Sequence, residues 1–212
     1  MLYSEFKQKE QKMPLIFSRD LLRLRKDKQV LLNQLYRWQQ KGLVVQLKRG
    51  VYQLNESDRR VNPSLEFIAN QLYAPSYISL DYALEVYGMI PEAVADVTSV
   101  STKKTMSFKS QQATFIYQHI KAQAFRGFKA VKDSQGYSYF IAEPEKAIVD
   151  FFYLNLDRIS SLDKGVFGGS YRLQNLETLK LPKLLKWAKL FGSKKLLLVV
   201  KNFIEFAKNE VR

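Results

Sequence analysis

The stretch LVVQLKRGVYQL, residues 43–54, constrains the fold more tightly than any other part of the chain. Two short apolar runs, LVVQL and VYQL, flank Lys48-Arg49-Gly50, the pattern of a hairpin closed by a glycine turn. Three helical segments precede it. The first is expected from about Ser4 to Lys12, stopped ahead of Pro14, which cannot continue a helix. Ser18 is placed to cap a second, RDLLRLR. The third is expected from about Asp27 to Lys41, with Gly42 just past its end. In that helix Leu31, Leu35 and Trp38 recur at helical spacing and predict a buried stripe, while Gln29, Asn33, Arg37 and Gln40 fall on another face.

Three helices followed by a hairpin is the order of a winged helix-turn-helix, with the third helix as the reader and the hairpin as the wing. The charge supports a polyanion as partner. The net charge is +14, and the isoelectric point is about 9.8. Residues 1–60 hold 14 Lys/Arg against 6 Asp/Glu, residues 61–150 hold 8 against 9, and residues 151–212 hold 12 against 5. Two basic ends therefore flank a near-neutral middle, although a generally basic solvated surface is the plainer alternative. A solvated helix face usually includes acids, yet Lys28 to Lys41 has none. Lys28, Gln29, Asn33 and Arg37 are accordingly the expected DNA-reading residues. Asn and Gln suit adenine edges, and Arg suits guanine or phosphate. Arg19, Arg23 and Arg25, on the preceding helix, are weaker candidates for the DNA backbone. The cations Lys48 and Arg49 are either decoration on an ordinary solvated turn or phosphate contacts of the wing.

The polar stretch NESDRRVNPS, 55–64, is the expected linker between a first domain over 1–58 and a second over 62–212. The second reads as α+β. Asn62 is expected to cap a helix whose first position is Pro63, and Ser79 to cap another that stops at Gly88. From Val97 to Ala142 the period changes to β: VTSVST, TMSFKS, ATFIYQHI, FKAVK and YSYFIA predict an antiparallel sheet of four or five strands. Helices return at EPEKAIVDFFYLNL and then as two basic segments near 182–190 and 193–209, divided by Gly192-Ser193.

Motifs for catalysis are few. The chain has one histidine, His119, and no cysteine, which argues against a zinc or iron site, so no metal is expected. No phosphate-binding glycine loop or dinucleotide fingerprint is present, and no cofactor is expected. Glu143, Glu145 and Lys146 in EPEK superficially suggest a carboxylate pair beside a lysine. Pro144 makes the stretch a helix start, where acids favour the helix dipole. No apolar run approaches the roughly 18 residues needed to cross a bilayer, and MLYSEFKQKEQKM lacks a signal-peptide core, so a cytoplasmic protein with no membrane partner is expected. Two rivals to a DNA-binding protein stand: a nuclease or nucleotidyl-modifying enzyme centred on the middle sheet, and a module whose basic ends bind an acidic toxin.

The segments LYRWQQKGLVVQLKRGVYQL, YISLDYALEVYGMIPE, VTSVSTKKTMSF, ATFIYQHI and AEPEKAIVDFFYL, in this order, resemble the AbiEi family of antitoxin-regulators from type IV toxin–antitoxin and abortive-infection systems. The resemblance covers most of residues 15–155; the final basic helices match only loosely. It implies a winged-helix domain that binds inverted repeats in its own promoter and represses the operon. It also implies a C-terminal antitoxin domain that aids cooperative DNA binding. The implied functional partner is a nucleotidyltransferase-like toxin, counteracted without a stable complex. Reading roles carry over to Gln29, Asn33 and Arg37, and wing contacts to Lys48 and Arg49. No catalytic residue carries over, and PEKAIVD matches as a packing motif.

Overall fold

The computed structural model describes residues 1–23, 28–159 and 165–210. The chain opens with α1 (Tyr3–Glu10), β1 (Ile16–Phe17), α2 (Ser18–Arg23) and α3 (Lys28–Gln40), followed by the hairpin strands β2 (Val44–Lys48) and β3 (Val51–Leu54). The expected α3 start at Asp27 lies outside the described residues. Gly42 and Gly50 both take positive φ, 68° and 83°, where a side chain would be strained. A short strand not anticipated from sequence, β1, pairs antiparallel with β3 through Ile16↔Tyr52 and Phe17↔Val51. The hairpin thereby becomes a three-stranded sheet of order β1-β3-β2. Leu31, Leu35 and Trp38 are buried, as their spacing requires, against Phe6, Ile16, Val44, Tyr52 and Leu54. Phe6 stacks on Trp38 with ring centroids 4.7 Å apart.

The remaining elements are α4 (Leu65–Leu72), β4 (Ser76–Ile78), α5 (Leu80–Val86), β5 (Val97–Ser101), β6 (Met106–Lys109), β7 (Thr114–His119), β8 (Phe128–Lys132), β9 (Ser138–Ala142), α6 (Pro144–Leu154), α7 (Gly165–Gly168), α8 (Leu181–Lys189) and α9 (Lys194–Glu210). All five strands expected between Val97 and Ala142 form. The sheet they join is mixed, however, and not purely antiparallel: β4 with β5, β6 with β7 and β8 with β9 pair antiparallel. It has six strands in the order β6-β7-β5-β4-β9-β8, with β5 parallel to β7 and β4 parallel to β9. Alternation identifies a strand but not its partner; pairing depends on where the chain returns. After β5 the chain passes out to the edge strand β6 before coming back as β7, and β4 enters the middle of the sheet from an earlier segment. The central strands β4 and β5 are buried at every position, as strands covered on both faces are.

Two helix starts also differ from expectation. Ser64, not Asn62, caps α4, accepting from the Phe67 N–H at 3.2 Å. Ser79 sits at the cap of α5, but its hydroxyl donates to Asp150 at 2.8 Å, and the Tyr82 N–H finds Thr98 Oγ1 from β5 instead. Gly192 and Ser193 behave as expected: Gly192 takes φ 65°, and the Ser193 hydroxyl accepts from the Leu196 N–H at 3.2 Å.

The stretch 55–64 is tied down at both ends. Asp58 accepts from Tyr3 Oη at 2.6 Å and Lys7 Nζ at 2.5 Å, and the Arg60 N–H reaches the Gln11 carbonyl at 2.7 Å. At the other end Asp133 accepts from the Ser64 N–H at 3.0 Å. The hairpin is joined to the larger unit as well. Leu15, Leu47 and Val51 are buried in the same core as Phe67, Tyr77 and Phe115.

Candidate nucleic-acid interface

Burial of Leu31, Leu35 and Trp38 leaves the opposite face of α3 outward. Lys28, Gln29, Asn33, Arg37 and Gln40 are all exposed there. Gln29 Nε2 donates to Asn33 Oδ1 at 3.0 Å, and Arg37 Nε donates to the Asn33 carbonyl at 3.4 Å. The amides of Gln29 and Asn33 are therefore aligned along one face, one turn apart. Sequence reasoning missed two neighbours on this surface, Leu32 and Tyr36, which are 38% and 63% exposed. Both fall off the 31/35/38 stripe, and that offset was a legible signal. An exposed tyrosine beside two amides offers an aromatic face and a hydroxyl, and a leucine offers contact for a thymine methyl.

Of the expected cations, Lys48 is arranged differently. Lys48 is not at an exposed tip. It ends β2, where the register shifts between Gln46 and Lys48, and such a bulge re-aims side chains. Its ammonium donates to the Leu72 carbonyl at the end of α4 and lies 5.2 Å from the Phe108 ring centroid. Burial, helped by the charges of Lys103 and Arg19, holds the Lys48 pKa below the ordinary lysine value. Leu47 and Val51 insert into the larger core and carry the intervening chain with them. Arg49 remains exposed. Arg19 is exposed on α2, 5.0 Å over the Phe17 ring and 3.7 Å from Asp20. Arg23 is exposed, and Arg25 lies outside the described residues.

Arg19, Lys48 and Arg49 line one cavity of about 550 Å³ together with Lys103, a residue not singled out from sequence. The structure thus gathers the cations into two sets: Lys28 and Arg37 flank the amides on α3, whereas Arg19, Lys48 and Arg49 meet where the hairpin faces the second unit.

The carboxylates of the EPEK stretch point to separate partners. Pro144 opens α6, as expected. Glu143 pairs with Lys183 at 2.8 Å, and Glu145 accepts from the Lys180 N–H at 2.9 Å. Lys146 pairs with Asp150 in the core, where Asp150 also accepts from Tyr77 Oη at 2.9 Å and from Ser79. Burial pushes the Asp150 pKa up and the Lys146 pKa down, while their pairing opposes both shifts. His119 ends β7, exposed, with Nδ1 3.0 Å from the Lys103 carbonyl. Among the described residues no helix is long and apolar enough to cross a membrane. No protein-family model matches the chain, and no curated protein matches it significantly.

Proposed function

We propose that this chain is a sequence-specific DNA-binding protein that reads a major groove with α3. The observation that carries this reading is α3 itself. It is an acid-free helix whose exposed face aligns Gln29, Asn33 and Tyr36 between Lys28 and Arg37, held by a buried stripe on its other side. A major groove admits one such helix, and paired amides suit adenine edges. The order α1-β1-α2-α3-β2-β3 is that of a winged helix-turn-helix, with Arg49 on the wing and Arg19 and Arg23 on the preceding helix as phosphate contacts. Phosphate contacts position the protein, and the amides carry the sequence information.

In this reading the resemblance to the AbiEi family supplies the biological role. The chain represses its own operon through inverted repeats, as two copies on DNA, and its second unit acts as the antitoxin to a nucleotidyltransferase-like toxin without a stable complex. Titration of a labelled upstream duplex against a scrambled duplex at matched salt tests the DNA reading. Preference for the upstream duplex is expected, and equal affinity for both ends it. Co-expression with the toxin tests the second role, for which restored growth without co-purification is expected.

A further inference from the structure

The cavity between the hairpin and the second unit has an unbalanced lining. It is bounded by Arg19, Lys48 and Arg49 on one side and by Lys103, Leu72 and Ala74 on the other. Four cations face it, and among the described residues lining it there is no carboxylate. The volume, about 550 Å³, falls within the range of small-molecule sites.

Two of the four charges are fixed in place. Lys48 Nζ donates to the Leu72 carbonyl, and Lys103 Nζ donates to the Ala74 carbonyl at 2.5 Å. These carbonyls lie two residues apart at the end of α4, so the ammoniums are anchored on one short stretch of main chain. Aromatic rings back both, Phe108 at 5.2 Å and Tyr73 at 5.3 Å. An ammonium has three N–H donors, so each keeps two beyond the carbonyl it holds. The nearest acid to Arg19 is Asp20, an exposed pair at 3.7 Å, which leaves most of the cavity's charge uncompensated. Lys48 is half-buried while Arg19, Arg49 and Lys103 are exposed, so solvent screens part of the repulsion among these like charges, and an anion between them removes the remainder. Arginine forks and fixed ammoniums together fit the several oxygens of a phosphoryl group better than a single chloride.

We propose that this cavity binds a phosphoryl anion, which bridges Arg19 and Arg49 of the first unit to Lys103 of the second. The anion is either part of a free phosphorylated molecule or a backbone phosphate of bound DNA. In both cases it clamps the hairpin to the second unit and couples the DNA-reading element to it.

Calorimetric titration of the full chain with pyrophosphate, at constant ionic strength set with chloride, tests the site. One saturable site is expected, weakened at least about tenfold in Lys103→Gln and again in Arg49→Gln. Arg49 is exposed, so its substitution leaves the fold intact, and thermal unfolding checks Lys103→Gln. Absence of saturation up to about 10 mM, or wild-type affinity in both folded variants, overturns the proposal. Repeating the titration on the DNA complex assigns the source. If DNA abolishes pyrophosphate binding and Lys103→Gln lowers the salt slope of DNA binding, the anion is a DNA phosphate. If pyrophosphate binds the complex as well as the free protein, it is a separate molecule. The first titration contains no DNA, so its failure and failure of the DNA reading are distinguishable.

Discussion

The Lys48 ammonium, at the end of β2, donates to the main-chain carbonyl of Leu72, at the end of α4, across 24 residues of chain. This contact ties the hairpin to the larger unit and separates the roles of two adjacent cations. Lys48→Ala is expected to lower stability by about 1.5–3 kcal/mol, the usual range for a hydrogen bond to a charged group. Urea unfolding measures it.

Arg49→Ala is expected to behave in the opposite way. Stability stays within about 0.5 kcal/mol, as for ordinary surface changes. The slope of log affinity against log salt for any duplex falls by about one unit. A salt series on the operator and on a scrambled duplex gives both slopes. An unchanged slope removes Arg49 from the phosphate contacts.

Asn33→Ala is expected to lose about 1–3 kcal/mol of discrimination between operator and scrambled duplex, with little change in affinity for the latter. Tyr36→Ser is expected to reduce operator affinity in the same assay. If either variant weakens both duplexes equally, that residue positions the helix and does not read bases.

The buried Lys146–Asp150 pair gives a test of the larger core. Lys146→Met alone leaves a buried carboxylate without its cation and is expected to cost about 3–5 kcal/mol. Adding Asp150→Leu is expected to recover part of that loss. The rest remains lost because the hydroxyls of Tyr77 and Ser79 lose their acceptor. Denaturant midpoints of the two single variants and the double variant close the cycle.

Acid is expected to loosen the segment between the two units first. The Lys7 and Tyr3 hydrogen bonds hold the Asp58 pKa below the usual carboxylate value. Burial pushes Asp133 up, but the N–H groups of Ser64, Tyr137 and Gln135 outweigh it and leave its pKa below the usual value. A carboxylate with a depressed folded pKa contributes stability above its unfolded value, about 3.9, and loses it as pH falls through the folded value. The stability difference between wild type and Asp133→Asn should therefore be constant above about pH 5 and shrink below about pH 4. Protection of the Ser64 amide, taken relative to the intrinsic exchange rate at each pH, should fall over the same interval.

Much of the first unit was legible in the sequence because its signals are local. Leu31, Leu35 and Trp38 repeat at the period of a helix, so their common burial follows whatever they pack against. Gly42 and Gly50 mark turns by the conformations they permit. The five strands between Val97 and Ala142 announce themselves by alternation. What alternation cannot carry is the identity of a neighbour, and so the parallel pairings of β5 with β7 and of β4 with β9 were not legible. The same limit hid β1, two residues long and too short to show a period.

The candidate site divides along the same line. The sequence alone determined the outward face of α3, because a buried stripe on a helix dictates what lies opposite. It also determined that cations cluster at the hairpin. Only the tertiary structure decided where those cations point. Burial of Leu47 and Val51 in the larger core turns Lys48 toward Leu72 and brings Lys103, 55 residues along the chain, to the same cavity. Periodicity reports the environment of a residue relative to its own element, whereas the meeting of Lys48 and Lys103 depends on how two elements pack.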